Sequence, residues 1–374
     1  MSHFTRILLR RKLLAAAMLM GLGGCVLDNS SIKKNPIVPE KGFVFTVNSD
    51  YKTGSFSAFG IDSALTVKDI EPIHSDAVVR YAGGNDILIL NRLGRDNLQV
   101  IDRHSLKTVM QVAFPANSNP YDIVLKDSLF YVALLGSKKI GIYRQGDGKA
   151  QGEIDLSAYA DTADGLPETT DLVFIDGTLY ALLANLDTKK DFAPLQARLV
   201  KIDVATKSVT KSLDLPYGNP VSMAYDPISD KLYIPCRGTF FDETFALLLD
   251  GGIIGVSLSK FAVAETLATE VGLAGGINSA IYNDGRLIMD LTEAAVTGGE
   301  SILSISINTG KGMEMAKLDQ YQVGGMDVDS TSNSLFIGDR KKGLRIFDLK
   351  TGKEKDPSQV GLGSLPIADL AVVR

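Results

Sequence analysis

A short apolar strand recurs seven times along the chain, and this repetition limits the fold more than any other feature. It reads FVFTV at 43–47, ILIL at 87–90, LFYVAL at 129–134, TLYALL at 178–183, KLYIP at 231–235, RLIM at 286–289 and SLFIG at 334–338. Each copy is followed by a second strand that ends in a polar turn. The clearest turns are Ile101-Asp102-Arg103-His104-Ser105, Ile202-Asp203-Val204-Ala205-Thr206 and Phe347-Asp348-Leu349-Lys350-Thr351-Gly352. Matching turn positions fall at residues 60, 102, 144, 203, 257, 306 and 348, at intervals of 42 to 59 residues. A third strand, a loop with Gly, Pro or Asn, and a fourth strand complete each unit, as in PYDIVL from Pro120 or PVSMAY from Pro220. A unit of four short strands cannot bury its own faces and must stack on its neighbours. Seven of them predict an all-β, seven-bladed β-propeller. Helical periodicity is nearly absent, apart from one stretch near 240–249.

The ring is expected to close on itself. Residues 365–373 (LPIADLAVV) read as an innermost strand with no unit after it, while the first unit, starting at Phe43, lacks such a strand. The C-terminal strand should therefore complete blade 1 and remove an open sheet edge.

Ahead of the repeats the chain reads as an address. Residues 1–24 carry Arg6, Arg10, Arg11 and Lys12 and no acid, followed by an apolar run from Leu13 to Leu22. That run is too short to span a bilayer as a helix but suits a secretory signal. It ends in Leu22-Gly23-Gly24-Cys25, which resembles the bacterial lipobox. The expected organisation is a lipoprotein signal peptide over 1–24, a lipidated tether over 25–41 starting at Cys25, and the propeller over 42–374. The protein is expected in the bacterial cell envelope, held to the membrane by its lipid. Val26 rather than Asp follows the cysteine, which favours the outer membrane if the host is Gram-negative.

Composition removes several functions. Two Cys exclude a disulfide framework and a cysteine-based zinc site. A net charge of −5 with scattered Lys and Arg argues against nucleic acid as a partner. No nucleotide loop, H-E-x-x-H, G-x-S-x-G or C-x-x-C is present.

Leu179-Tyr180, the run Val200-Lys201-Ile202-Asp203-Val204-Ala205-Thr206-Lys207 and Gly218-Asn219-Pro220 resemble the repeat of the YVTN-type seven-bladed propellers, a bacterial surface and periplasmic family. The resemblance covers about 42–374. It implies binding or scaffolding more often than catalysis. The chain has 0 Trp, so it lacks both the Trp-Asp of WD40 repeats and the tryptophan-docking motif of quinoprotein propellers.

Few groups offer chemistry. His74 and His104 are expected on opposite faces, which argues against a histidine acid/base pair. Cys236 reads as a buried, inert thiol. Asp76, Asp122 and Asp171 align just before innermost strands and are expected to ring one mouth of the channel, with Ser222 and Ser279 as later counterparts. Asp327 and Asp369 lie one or two residues away from register. Such carboxylates can hold a hard cation such as Ca²⁺ or can cap backbone N–H groups as Asx turns do. Asp327 to Asn333 reads as a polar turn.

Long loops follow the repeated strand in blades 4, 5 and 6, on the face of those aspartates. The blade 5 loop, Arg237 to Gly252, carries Phe240, Phe241 and Phe245. These are expected either to fold back as a short helix over the channel or to form a docking element. Two functions follow. The first is a lipid-anchored binding or scaffold module for a protein, glycan or small ligand. The alternative is a lactonase-like hydrolase using a metal or acidic cluster at the channel mouth. The absence of a suitable histidine favours binding over catalysis.

Overall fold

The computed structural model describes residues 42–239, 241, 246–294 and 298–374. The signal segment, Cys25, the tether, Phe240 and Phe245 lie outside the described residues.

Seven four-stranded antiparallel sheets make up the body. Their innermost strands are Ile367–Val373 (blade 1), Ala77–Tyr81 (2), Pro120–Lys126 (3), Thr169–Ile175 (4), Ala224–Asp226 (5), Gly275–Asn283 (6) and Val323–Asp329 (7). The chain is a seven-bladed β-propeller. Closure follows the expected path: Phe43 pairs with Val373 and Phe45 with Ala371, so the last strand is the innermost strand of blade 1. The third strands end at Gly60, Asp102, Arg144, Asp203, Ser257, Ser306 and Asp348, the seven positions of the sequence repeat.

The repeated apolar runs are second strands, covered on both faces by neighbouring blades. Phe43–Ser49 is buried at every position, whereas outermost strands such as Lys107–Ala113 alternate. This is why the second strands read as continuous apolar runs, as doubly covered strands do. One interblade core joins Phe45 and Phe56 of blade 1 to Ile87, Ile89 and Ile101 of blade 2. Another joins Val44 and Phe59 to Phe336 and Leu344 of blade 7.

The recurrent aspartate after the third strand has a local cause. Asp102 accepts the N–H groups of His104 and Ser105, at 3.2 and 2.7 Å, and Asp203 and Asp348 repeat the arrangement. The turn then needs a left-handed residue, supplied by Leu106, Lys207 and Gly352 at φ 57°, 53° and 67°.

Most innermost strands carry a β-bulge near their start, between Pro120 and Asp122, Thr169 and Asp171, Ile277 and Ser279, and Val323 and Gly325. In blade 1 the same shift lies before Asp369. Blade 2 has no bulge, and register places Val78, not Asp76, at the level of Asp122. In a meander of this kind, the loops between second and third strands and the connections to the next blade emerge on one face. The other two sets of turns emerge on the opposite face. His74 and His104 therefore lie on opposite faces. No helix among the described residues is long and apolar enough to cross a membrane.

Candidate functional site: the channel wall and its long-loop mouth

The residue after each bulge points along the channel wall, where a carboxylate can reach the next blade. Asp369 of blade 1 accepts the N–H of Val79 in blade 2 at 3.0 Å. Asp122 of blade 3 accepts that of Leu172 in blade 4 at 2.9 Å, and Asp171 of blade 4 accepts that of Met223 in blade 5 at 2.5 Å. Asp327 of blade 7, two residues further along its strand, accepts the N–H of Val372 in blade 1 at 2.8 Å. Ser222 of blade 5 completes the series by donating to the carbonyl of Ala280 in blade 6 at 3.1 Å. An innermost strand has no ladder partner on its channel side, so alternate N–H groups there are free, and the carboxylates satisfy them.

Arg80, in the innermost strand of blade 2, sits among these acids. Its guanidinium contacts Asp122 at 3.0 Å and Asp369 at 3.1 Å. Burial opposes its charge, but Asp369 and Asp122 outweigh burial and hold it firmly protonated. About a third of the side chain, 34%, stays open to water along the channel. Burial is also the main force on the acids. It raises Asp327 to about 6 despite the Val372 and Val328 N–H groups. It lifts Asp171 well above the carboxylate range, with the adjacent Asp122 carboxylate pushing the same way. Asp171 therefore sits as a raised carboxyl beside Asp122 and the Arg80 guanidinium.

At the long-loop mouth, three arginines close the second strands of their blades and reach toward the following blade. Arg92 contacts Asp76 at 2.8 Å and lies over the Tyr121 ring at 5.2 Å. Arg237 donates to the Ile277 carbonyl and Asn278 at 3.2 and 3.1 Å. Arg340 donates to the carbonyls of Ile367 and Ser49 at 3.3 and 3.1 Å. The blade 5 insertion is pinned at its base. Thr239 donates to Asp250 through its N–H and hydroxyl at 2.8 and 2.7 Å, and Gly251 donates to Glu270 at 2.9 Å. Glu270 also accepts the Ile277 N–H at 2.7 Å. Burial raises its carboxyl to about 7. The blade 4 insertion forms a small hairpin, Leu186–Asp187 with Ala193–Pro194. An open cleft of about 410 Å³ on the flank of blade 6 is crossed by Lys317, which pairs with Glu293 and Glu314 at 3.3 and 3.5 Å.

The structure brings Asp122 and Asp171 together and separates Asp76 from them. Asp76 lies in the connection before blade 2, and its carboxylate is taken by Arg92. Asp76 pairs opposite Arg92, two residues before Val78, and so stands at the level of Asn119 rather than of Asp122. Asp369, read as out of register, occupies the same level as Asp122. Phe241 is half-buried and bridges to Leu247. The described residues of this insertion form no helix; residues 240 and 242–245, on which the fold-back expectation rests, lie outside the described residues. Cys236 is fully buried, and burial pushes its thiol far above the ordinary range. Burial lowers the His74 imidazole below its ordinary range, against the pull of Asp76 and with the help of Arg95 and Arg92. Sequence reading missed Arg80. A lone charge in the apolar run Ala77–Tyr81 was the available signal, since such a residue must be paired when buried.

No family model and no curated protein matches the chain. Solved structures do. A candidate 6-phosphogluconolactonase from Bacteroides fragilis NCTC 9343 aligns with TM-score 0.64 at 14% identity, over 91% of this chain and 100% of that one. A second, from Bacteroides uniformis ATCC 8492, gives 0.61 at 13%, over 89% and 99%. The fold is the one these propellers share. Hydrazine synthase from Kuenenia stuttgartiensis also aligns, with TM-score 0.56 at 15% identity over 71% of this chain and 74% of that one. Identities this low carry the architecture and no activity.

Proposed function

We propose that the chain is a lipid-anchored envelope propeller that works as a binding module, engaging a protein, glycan or small ligand on its long-loop mouth. The observation behind this reading is the occupation of the channel carboxylates. Asp122, Asp171, Asp327 and Asp369 each bond the backbone of a neighbouring blade, and Arg80 is held between two of them. They act as ring fasteners, while the insertions are concentrated at one mouth. The two acids beside Arg80 favour one second reading. Asp171, its carboxyl raised by burial, has beside Asp122 the form of an acid/base pair, and the candidate lactonases have the same architecture.

The binding test is a crosslinked membrane pull-down comparing the native chain with one in which 240–248 becomes a short Gly-Asn turn. This variant keeps Thr239, Asp250 and Gly251, which pin the loop base. Loss of a crosslinked partner with an unchanged melting temperature is the expected result. Unchanged capture of every partner would count against the loop as the docking element. Turnover of 6-phosphogluconolactone above its spontaneous rate, abolished by Asp171→Asn, would replace the binding reading with the hydrolase.

A further inference from the structure

The connection from blade 3 to blade 4, Asp161-Thr162-Ala163-Asp164-Gly165-Leu166-Pro167-Glu168, lies on the long-loop face beside the blade 4 insertion. Asp161, Asp164 and Glu168 each offer a carboxylate oxygen within 4.8 Å of the others. Oxygens on a shared Ca²⁺, each about 2.3–2.6 Å from it, can lie no more than about 5 Å apart. Proximity alone would be unremarkable in an acidic loop. The decisive observation is that Glu168 is 1% exposed, yet its Oε1 has no hydrogen-bond partner. Its other oxygen takes the Leu186 N–H at 2.9 Å. Asp161 repeats the pattern, with one oxygen bonded to the Ala163 N–H and a buried Oδ2 unpartnered. Asp164 is fixed by the N–H groups of Leu166 and Thr188, at 2.9 and 3.1 Å, and by the Thr188 hydroxyl. Just behind the cluster, Asn185 donates its N–H to the Pro167 carbonyl, while its own buried Oδ1 also lacks a donor.

These orphan atoms act as acceptors, and two are carboxylate oxygens. A buried carboxylate oxygen without a donor is costly and is what a hard cation satisfies. Lys189 approaches the loop, but its ammonium donates to the Ala163 carbonyl, not to Glu168 or Asp161. Burial, reinforced by Asp164 and Asp161, raises the Glu168 carboxyl to about 8, so cation and proton compete for the same oxygen.

We propose that Asp161, Asp164 and Glu168 bind a Ca²⁺ ion that fastens the blade 3–4 connection to the blade 4 insertion. This moves the cation expected from the sequence away from the channel aspartates, whose oxygens are bonded to backbone N–H groups and Arg80. It stands independently of the binding and hydrolase readings.

The test uses the full-length protein in detergent, stripped with EDTA and titrated with CaCl₂ or MgCl₂ while melting temperature is followed. Ca²⁺ is expected to raise Tm by at least ~3 °C at saturation, with half-saturation near 10⁻⁴–10⁻³ M, the range of extracellular sites. Mg²⁺ should do much less. Glu168→Gln should abolish the response, and Asp161→Asn, at a less buried position that spares the fold, should weaken it at least tenfold. A Tm indifferent to Ca²⁺ would overturn the proposal, as would an equal response to Mg²⁺ or an undiminished response in Asp161→Asn. The first outcome would mean that a water or a proton on Glu168 satisfies the cluster.

Discussion

Arg80 of blade 2 and Asp369 of the chain's last strand meet at 3.1 Å on the channel wall, joining residues 289 positions apart. The contact ties the closing blade to its neighbour, and Asp122 extends it to blade 3. Arg80→Met leaves both acids without their cation. The expected loss is about 3 kcal/mol at pH 7.5, the low end for removing one partner of a buried pair because this one is partly hydrated. The loss should shrink on acidification, because burial raises the Asp369 carboxyl above the ordinary range and a protonated Asp369 no longer needs the cation. Urea denaturation before and after acidification measures it. Lys341→Met, which breaks an exposed pair with Asp319, should leave the urea midpoint unchanged.

Removing residues 367–374 should prevent cooperative folding. The strand buries Ile367, Leu370, Ala371 and Val373. Each large aliphatic residue contributes about 1.5–3 kcal/mol, against a total stability of about 5–15 kcal/mol. The truncated chain should lose its sharp thermal transition and become sensitive to limited proteolysis. A native-like transition would show that blade 1 stands without this strand.

Stability should be greatest near pH 4–5 and decline toward pH 8. Glu270 holds its proton to about 7 in the folded chain, against 4.5 for an ordinary Glu, and Asp327 to about 6, against 3.8. The folded state therefore binds more protons between those limits. The linked stabilisation is complete at the lower pH and is lost as pH rises through 6 and 7. Turn aspartates such as Asp102, held below the ordinary range mainly by N–H donors that outweigh burial, act oppositely: their contribution is present above the ordinary carboxylate range and is lost as pH falls below it. Glu270→Gln should flatten the decline between pH 5 and 7 by ~2 kcal/mol. Thermal melts across pH give the answer directly.

Two cysteines should behave differently. Cys236, fully buried, is expected to resist a thiol reagent in the native protein and to react once in urea. Cys25→Ser is expected to move the protein from the detergent phase to the aqueous phase of a Triton X-114 partition. Retention in the detergent phase would contradict acylation at that residue.

The propeller was legible because its signal is repetitive and local. Apolar second strands, repeated seven times, and Asx turns such as Asp102-Arg103-His104-Ser105, repeated at Asp203 and Asp348, follow from short-range rules. Closure by Ile367–Val373 was legible as an imbalance between the two ends of the repeat. The channel was harder to read. Whether an aspartate faces the next blade depends on a one-residue bulge, which leaves no composition signature. Asp369 was read as out of register and Asp76 as in register. Glu168 stands in the polar connection before blade 4, in no spacing that marks it as a ligand. That its Oε1 lacks a donor depends on packing, to which the one-dimensional sequence is blind.

The seams between blades are not equivalent. Blade 6 meets blade 7 through Glu300, which accepts the N–H groups of Gln322 and Val323 at 2.6 and 2.7 Å. At the other end, the Ser330 hydroxyl donates to Asn283 at 2.6 Å. Among the described residues this seam is clasped at its two rims, whereas its neighbours are riveted midway along the wall. A hoop under outward load yields at the joint with least fastening near its middle. Breathing of the ring would start between blades 6 and 7.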